Sequence, residues 1–232
     1  MSDFGYIKEN LDAIRSEISD LSKKYGRDIT LVAVTKSATD DELLALARYG
    51  ITDIGENRPG ELKRRGELLN SHGLCPRLHE IGNLQRNKVK LVLGISHLIH
   101  SVGKASLADE ISRQAVALGI TVPVLAEINS AREENKSGAY PEDAEELCKY
   151  ISSLPGLSLR GLMTMGPPSD DAEIMRPYFR LTKEIYDKLS TKYGFDKDGI
   201  LSMGMSDSYR VAIEEGSTLV RVGRRLFIKE GE

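Results

Sequence analysis

Eight times along the chain a short apolar run, rich in β-branched residues, recurs between segments patterned for helices. The runs fall at 29–36, 51–57, 78–82, 97–102, 123–128, 159–164, 200–205 and 218–222. Helical patterning fills 39–49, 59–69, 84–93, 104–118, 141–153, 171–192 and 207–215. Short runs bounded by turn residues read as buried strands. Strands that alternate with helices imply a parallel sheet, because a parallel neighbour is reached only by a crossover. Eight such units in 232 residues fit a closed (β/α)8 barrel of the TIM type. An open doubly wound sheet is the rival, and the strand count argues against it. The last run has no helix after it. An extra stretch precedes the first: Ile7, Leu11, Ile14, Ile18 and Leu21 form one helical stripe that Gly26 ends. This N-terminal helix is expected to cover the gap after Val222. No Gly- or Pro-rich linker divides the chain, so residues 1–232 read as a single domain.

Charge narrows the partners. The formal net charge is −3, and the segment KRRGE, Lys63 to Glu67, is short, has acids close by and reads as a solvated helix face. Phosphate-backbone binding needs a clustered Lys/Arg footprint, so nucleic acid is not an expected partner. Cys75 and Cys148 stand far apart with no C-x-x-C, which fits a reducing, cytoplasmic setting. The N-terminus MSDFGYIKEN is charged and does not resemble a signal peptide. No apolar run approaches the ~20 residues of a membrane span. Trp is absent and aromatics are 6%, so the core must be aliphatic.

The first strand, LVAVTK, runs from a dry interior to Lys36. In a barrel, sites form at the C-terminal mouth, where each strand hands over to its loop. A lysine there can lay its stem on apolar surface, and partial desolvation would free its lone pair for a Schiff base with an aldehyde. A lysine simply leaving the barrel for solvent is the plain alternative. Other strand ends add polar groups: Gly55-Glu56-Asn57, Gly82-Asn83, Asn129 and Thr164-Met165-Gly166. The seventh ends LSMGMSDS, placing Ser206 and Asp207 at an expected helix start, and the eighth ends LVRVGRR with Gly223. Loops after strands seven and eight commonly hold phosphate in such barrels. Ser206 reads equally as an N-cap. An amine for an aldehyde and a cradle for phosphate on one rim point to pyridoxal 5′-phosphate, which carries both groups on one ring.

These segments, taken in order, resemble the pyridoxal phosphate homeostasis proteins, single-barrel relatives of the alanine racemase N-terminal domain. The pieces are LVAVTK at 31–36, IGEN at 54–57, H-x-IG-x-LQ-x-NK at 79–88, Asn129, KSG at 136–138, RGLMTM at 160–165, LSMGMSDS at 201–208 and RVG at 221–223. The resemblance implies an alanine racemase N-terminal domain-like barrel with Lys36 as the Schiff-base lysine. Ser206 and the amides near Gly223 would hold the phosphate, with Asn57, Met203 and Arg224 completing the cofactor set. Arg221 would face the pyridine nitrogen, leaving it unprotonated and the ring a poor electron sink. His79, Asn83, Lys136 and Thr164 are candidates for the layer behind. No catalytic residue and no metal are expected. The family often flanks the histidine with aromatics, has Thr after the glycine and Gly further on; here Leu78 and Glu80, Arg224 and Ile228 stand instead. These departures bear on phosphate binding more than on the Schiff base.

The function so implied is intracellular pyridoxal phosphate homeostasis, buffering or delivery, without robust catalysis. The partners would be the cofactor and pyridoxal-phosphate-dependent apo-enzymes, with the protein a monomer or weak homodimer. The alternative is a racemase-like enzyme, although racemases use a second, β-rich domain and nothing follows Glu232 to build it. A third reading is a Schiff-base aldolase without cofactor. His97 and His100 form H-x-x-H, but on a strand they point to opposite faces, which favours structural or surface roles over a metal. Met163, Met165, Met203 and Met205 read as core filler more readily than as cofactor contacts. Lys136 is equally a second amine near the ligand or a solvated loop charge.

Overall fold

Ile7, Leu11, Ile14 and Ile18 are the buried residues of α1 (Gly5–Tyr25), which Gly26 ends in the left-handed conformation at φ 63°. This is one helix of a computed structural model that describes residues 4–167, 169, 171–195 and 198–229. The expected domain limits, 1 and 232, lie outside the described residues.

The eight expected strands are all present, as β1 (Thr30–Val34), β2 (Asp53–Glu56), β3 (Arg77–Glu80), β4 (Ser96–Val102), β5 (Val122–Ile128), β6 (Leu157–Thr164), β7 (Ile200–Ser202) and β8 (Leu219–Val222). They pair in chain order, and β8 returns to β1 to close a barrel. All pairs are parallel; Val32 sits opposite Arg221 where the ring closes. The connecting helices are α2 (Asp40–Arg48), α3 (Pro59–Ser71), α4 (Ala105–Leu118), α5 (Ala144–Ser153), α6 (Arg176–Tyr193) and α7 (Tyr209–Glu214). Two apolar layers result. Val32, Leu98, Leu125, Met163 and Leu219 pack inside the ring. A larger aliphatic shell, which includes Ile54, Ile99, Ile111, Ile151 and Val220, packs between strands and helices.

Local chemistry explains the ends. Thr39 and Glu42 complete a capping box at the start of α2. Where the pattern predicted a helix over 84–93, the chain makes a 3-10 segment, Arg86–Leu91. Its only buried residue is Val89, too little apolar surface to seat an α-helical face. The helices expected from 141 and 171 begin as 3-10 turns, and only then become α5 and α6. The helix expected from 207 starts later: Ser208 is the N-cap of α7, because residues 205–208 form a turn in which Ser208 Oγ accepts from the Met205 amide at 3.2 Å. Ser206 is therefore not the cap.

The expectation of a missing eighth helix also needs correction. A short α8 (Arg224–Phe227) follows β8. α1 packs on it rather than replacing it: Asn10 Nδ2 donates to the carbonyls of Leu226 at 3.3 Å and Ile228 at 2.8 Å. The Glu17 carboxylate accepts from Arg210 at 2.7 Å, Arg225 at 3.3 Å and the Tyr209 hydroxyl. Those donors hold the Glu17 carboxyl at about 2, against the effect of its partial burial. Among the described residues no helix is long and apolar enough to cross a membrane.

Candidate functional site at the C-terminal mouth

Lys36 lies two residues beyond the last residue of β1, in a turn closed by the Ala38 amide donating to the Thr35 carbonyl at 2.8 Å. The turn is held from behind. Thr35 Oγ1 donates to Glu56 Oε1 at 2.5 Å. Buried Arg65, from α3, donates to the Thr35 carbonyl and, at 2.8 Å, to that of Ala38, and pairs with Glu56 at 2.9 Å. Burial raises the Glu56 pKa, while Thr35 and Arg65 pull it back. Thr35 and Ala38 are thus fixed on either side of Lys36. The lysine itself is exposed, which corrects the expectation of desolvation: its position past the paired strand puts it in an open mouth.

That mouth is a cavity of about 640 Å³. Lys36, Asn57, Asn83, Lys136, Ser206, Arg221, Gly223 and Arg224 all line it, so eight of the sequence-predicted residues meet at one place. On one side, Gly82 lets its loop pass against Asn57; a Cβ there would lie 2.2 Å from the Asn57 carbonyl oxygen. On another, Asn129 folds the loop after β5 inward, its side chain donating to the Glu133 carbonyl at 2.8 Å and accepting from the Glu133 amide at 3.2 Å. Lys136, at the tip of that loop, pairs with Glu133 at 2.6 Å. Opposite, the Gly223 amide donates to Ser206 Oγ at 3.2 Å. A Cβ on Gly223 would sit 3.0 Å from the Val34 carbonyl. Arg224 pairs with Asp207.

The floor is charged and buried. Arg221 Nη2 donates to the Thr164 carbonyl at 3.1 Å, and its Nη1 donates to Ser202 Oγ. Burial lowers the Arg221 pKa to about 10, so the guanidinium keeps its proton at neutrality. Thr164 contributes by that carbonyl; its hydroxyl donates to the Ile128 carbonyl at 2.8 Å. Glu127, on β5, lines the cavity with Oε2 unpartnered. Burial pushes its carboxyl up to about 7, with Arg221 opposing. Sequence reasoning missed Glu127, although a carboxylate near the end of VPVLAEI is the same signal as Lys36 at the end of LVAVTK.

Three predicted residues do not line the cavity: Thr164 lies beneath it against Arg221, and Met203 and His79 fall elsewhere. Met203 is fully buried in the shell outside the strands and does not line the cavity; Met163 packs inside the ring. Met165 and Met205 do line it. His79 is also absent from the cavity wall, because β3 turns its side chain into the barrel toward the N-terminal end, where it touches Asp53 and His100. His100 is buried and His97 exposed. No cluster of three or more metal-ligating side chains occurs among the described residues.

Comparison with known proteins gives the family. The family model described as alanine racemase, N-terminal domain, matches residues 10–230. A pyridoxal phosphate homeostasis protein from Aquifex aeolicus is 38% identical over 222 residues, 94% of this chain and 96% of its own. The chain belongs to the pyridoxal phosphate homeostasis proteins, within the alanine racemase N-terminal domain family. Solved structures agree. An unknown protein from Bifidobacterium adolescentis superposes with a TM-score of 0.90 at 35% identity, covering 98% of this chain and 97% of that one. PipY of Synechococcus elongatus, solved with pyridoxal phosphate bound, superposes with a TM-score of 0.82 at 27% identity, covering 96% of this chain and all of PipY.

Proposed function

We propose that this homeostasis-family chain holds pyridoxal 5′-phosphate in the mouth cavity, attached to Lys36 as a Schiff base, and stores or delivers it without robust catalysis. The observation that carries the reading is the meeting, in one cavity, of an exposed amine, a buried guanidinium and a Ser206–Gly223 rim. The donor set suits the compound. Lys36 offers the amine for an aldehyde, condensing with loss of water. The Ser206 hydroxyl, the backbone around Gly223 and Arg224 suit a phosphate. Arg221 suits the ring nitrogen. Lys36, Lys136, Arg221 and Arg224 outweigh Asp207 and a Glu127 whose carboxyl burial has pushed up to about 7, which favours an anionic ligand. The cofactor in PipY supports the same choice.

Bound pyridoxal phosphate supplies an electrophilic carbonyl equivalent and, when its nitrogen is protonated, an electron sink. Arg221 denies it that proton, because a guanidinium with a pKa near 10 is a poor acid at neutrality. This weakens the case for carbanion chemistry and suits a protein that holds the cofactor, although the racemase relatives carry a matching arginine. The matched span, 10–230, supports residues 1–232 as a single domain. Cytoplasmic residence, a monomer or weak homodimer, and apo-enzymes as recipients belong to the same proposal.

The test is direct. Purified protein incubated with pyridoxal phosphate should gain a visible absorbance band, and borohydride should fix the adduct on the peptide containing Lys36. Lys36→Ala should lose both. A fixed adduct on another lysine would overturn the assignment, and Lys36-dependent exchange of an amino acid's α-hydrogen with solvent would favour the racemase reading.

A further inference from the structure

A column of polar side chains runs through the barrel from one mouth to the other. It begins at the N-terminal mouth with Arg77, whose Nη2 donates to Asp53 Oδ2 at 2.7 Å. Asp53 Oδ1 is 2.8 Å from His79 Nε2, and His79 Nδ1 is 3.0 Å from His100 Nε2. His100 Nδ1 is 3.0 Å from Ser202 Oγ, which accepts from Arg221 Nη1 on the cavity floor. Asp53, His79, His100 and Ser202 are each at most 2% exposed.

One placement of hydrogens satisfies every atom. An arginine only donates, so Ser202 Oγ takes the Arg221 N–H and must give its own proton to His100 Nδ1. His100 then carries its hydrogen on Nε2 and gives it to His79 Nδ1. His79 carries its hydrogen on Nε2 and gives it to Asp53. A doubly protonated His79 would force the hydrogen of His100 onto Nδ1 and leave the Ser202 hydroxyl proton with no acceptor. Burial would raise the Asp53 carboxyl, but His79, Arg77 and Thr52 hold it at about 2, so it is ionised. Burial drives the His100 pKa well below its ordinary value, so that ring is neutral.

We propose that Asp53, His79, His100 and Ser202 are positioning residues for Arg221, forming one polarised hydrogen-bond chain with every donor directed from Arg221 toward Asp53. Arg221 has no carboxylate in salt-bridge contact among the described residues. The aligned N–H and O–H dipoles turn their negative ends to the guanidinium instead and lock it against the cavity floor. The role assigned to Arg221 rests on the proposed function; the polarity of the chain does not.

In protein labelled with 15N-histidine, ring nitrogen shifts distinguish Nε2–H from Nδ1–H. At neutral pH both His79 and His100 should carry hydrogen on Nε2 only, assigned with His72→Gln and His97→Gln variants. Asp53→Asn keeps a side-chain oxygen that can accept from His79 and should leave the His100 hydrogen on Nε2, because Ser202 fixes that ring from the Arg221 end. Ser202→Ala should weaken pyridoxal phosphate binding about tenfold, ~1.4 kcal/mol, while leaving the adduct fixable at Lys36. A bare Nε2 or a doubly protonated ring at either histidine in the wild type overturns the chain. So does a His100 hydrogen moved to Nδ1 in folded Asp53→Asn, or wild-type affinity in Ser202→Ala. Protein that takes up no pyridoxal phosphate would sink the proposed function, and the tautomers alone would then decide the chain.

Discussion

Single residues in this barrel are informative where a charge meets a dry neighbourhood. Glu80, at the end of β3, is fully buried; one oxygen accepts the Gly82 amide at 3.1 Å and the other has no partner. Burial pushes its carboxyl up to about 8, the Gly82 amide opposing and Glu56 adding to the rise. Glu80 therefore holds its proton more tightly folded than unfolded. Its contribution to stability is complete below about pH 4.5, the ordinary value, and is lost as pH rises through about 8. Between pH 5 and pH 8, Glu80→Gln should lose less unfolding free energy than wild type, by on the order of 1–4 kcal/mol at ~1.4 per unit of displacement. Urea unfolding at the two pH values measures it, and parallel pH profiles would refute it. Nothing in the local sequence marks Glu80 as a proton carrier, because its surroundings include β2, where Glu56 lies opposite it in the sheet. Lys36 was legible because a lysine closing a β-branched run is a contradiction visible in one dimension.

Among the elements, the strands were more legible than the helices. A buried strand declares itself by continuous apolar residues, and all eight runs became strands of the ring. The segment 84–93 and the openings of α5 and α6 were misjudged because a 3-10 turn and an α-helix share polar, helix-tolerant sequence. The Arg65 clamp was hidden for another reason: it joins α3 to the turn after β1, and KRRGE reads as an ordinary solvated face. Yet Arg65 is only 4% exposed and spans two carbonyls and a carboxylate. A lysine brings one compact ammonium where the guanidinium brings a planar fork. Arg65→Lys should therefore lower unfolding free energy by about 2–4 kcal/mol, and it should weaken pyridoxal phosphate binding by loosening the Lys36 turn. Denaturant melts and a binding titration on the same variant check both parts; unchanged affinity would mean the turn holds its shape without the clamp.

The whole molecule was predicted as a closed barrel with an additional helix, and it is one, but the closure differs. α8 exists, and α1 is layered over it through Asn10 and Glu17. These arginine-, tyrosine- and asparagine-mediated contacts between distant parts of the chain cannot be read from either part alone. The apolar stripe of α1 makes this layer integral to the core. Ile14 is 1% exposed and does not line the cavity. Ile14→Ala should cost about 2–5 kcal/mol and lower Tm by ~2–4 °C per kcal/mol, with an unaltered spectrum of the bound cofactor well below the transition. A scanning calorimetry trace and an absorbance titration test the two halves separately.

Because β8 is bonded back to β1, the ring has no seam. Backbone donors and acceptors along its staves are already spent on one another, and a visiting polypeptide finds no strand to zip against. Any protein that meets this one must do so through loops, outer helix faces and side chains, where contacts are free of strand register and can diverge from one visitor to the next while the frame beneath stays the same.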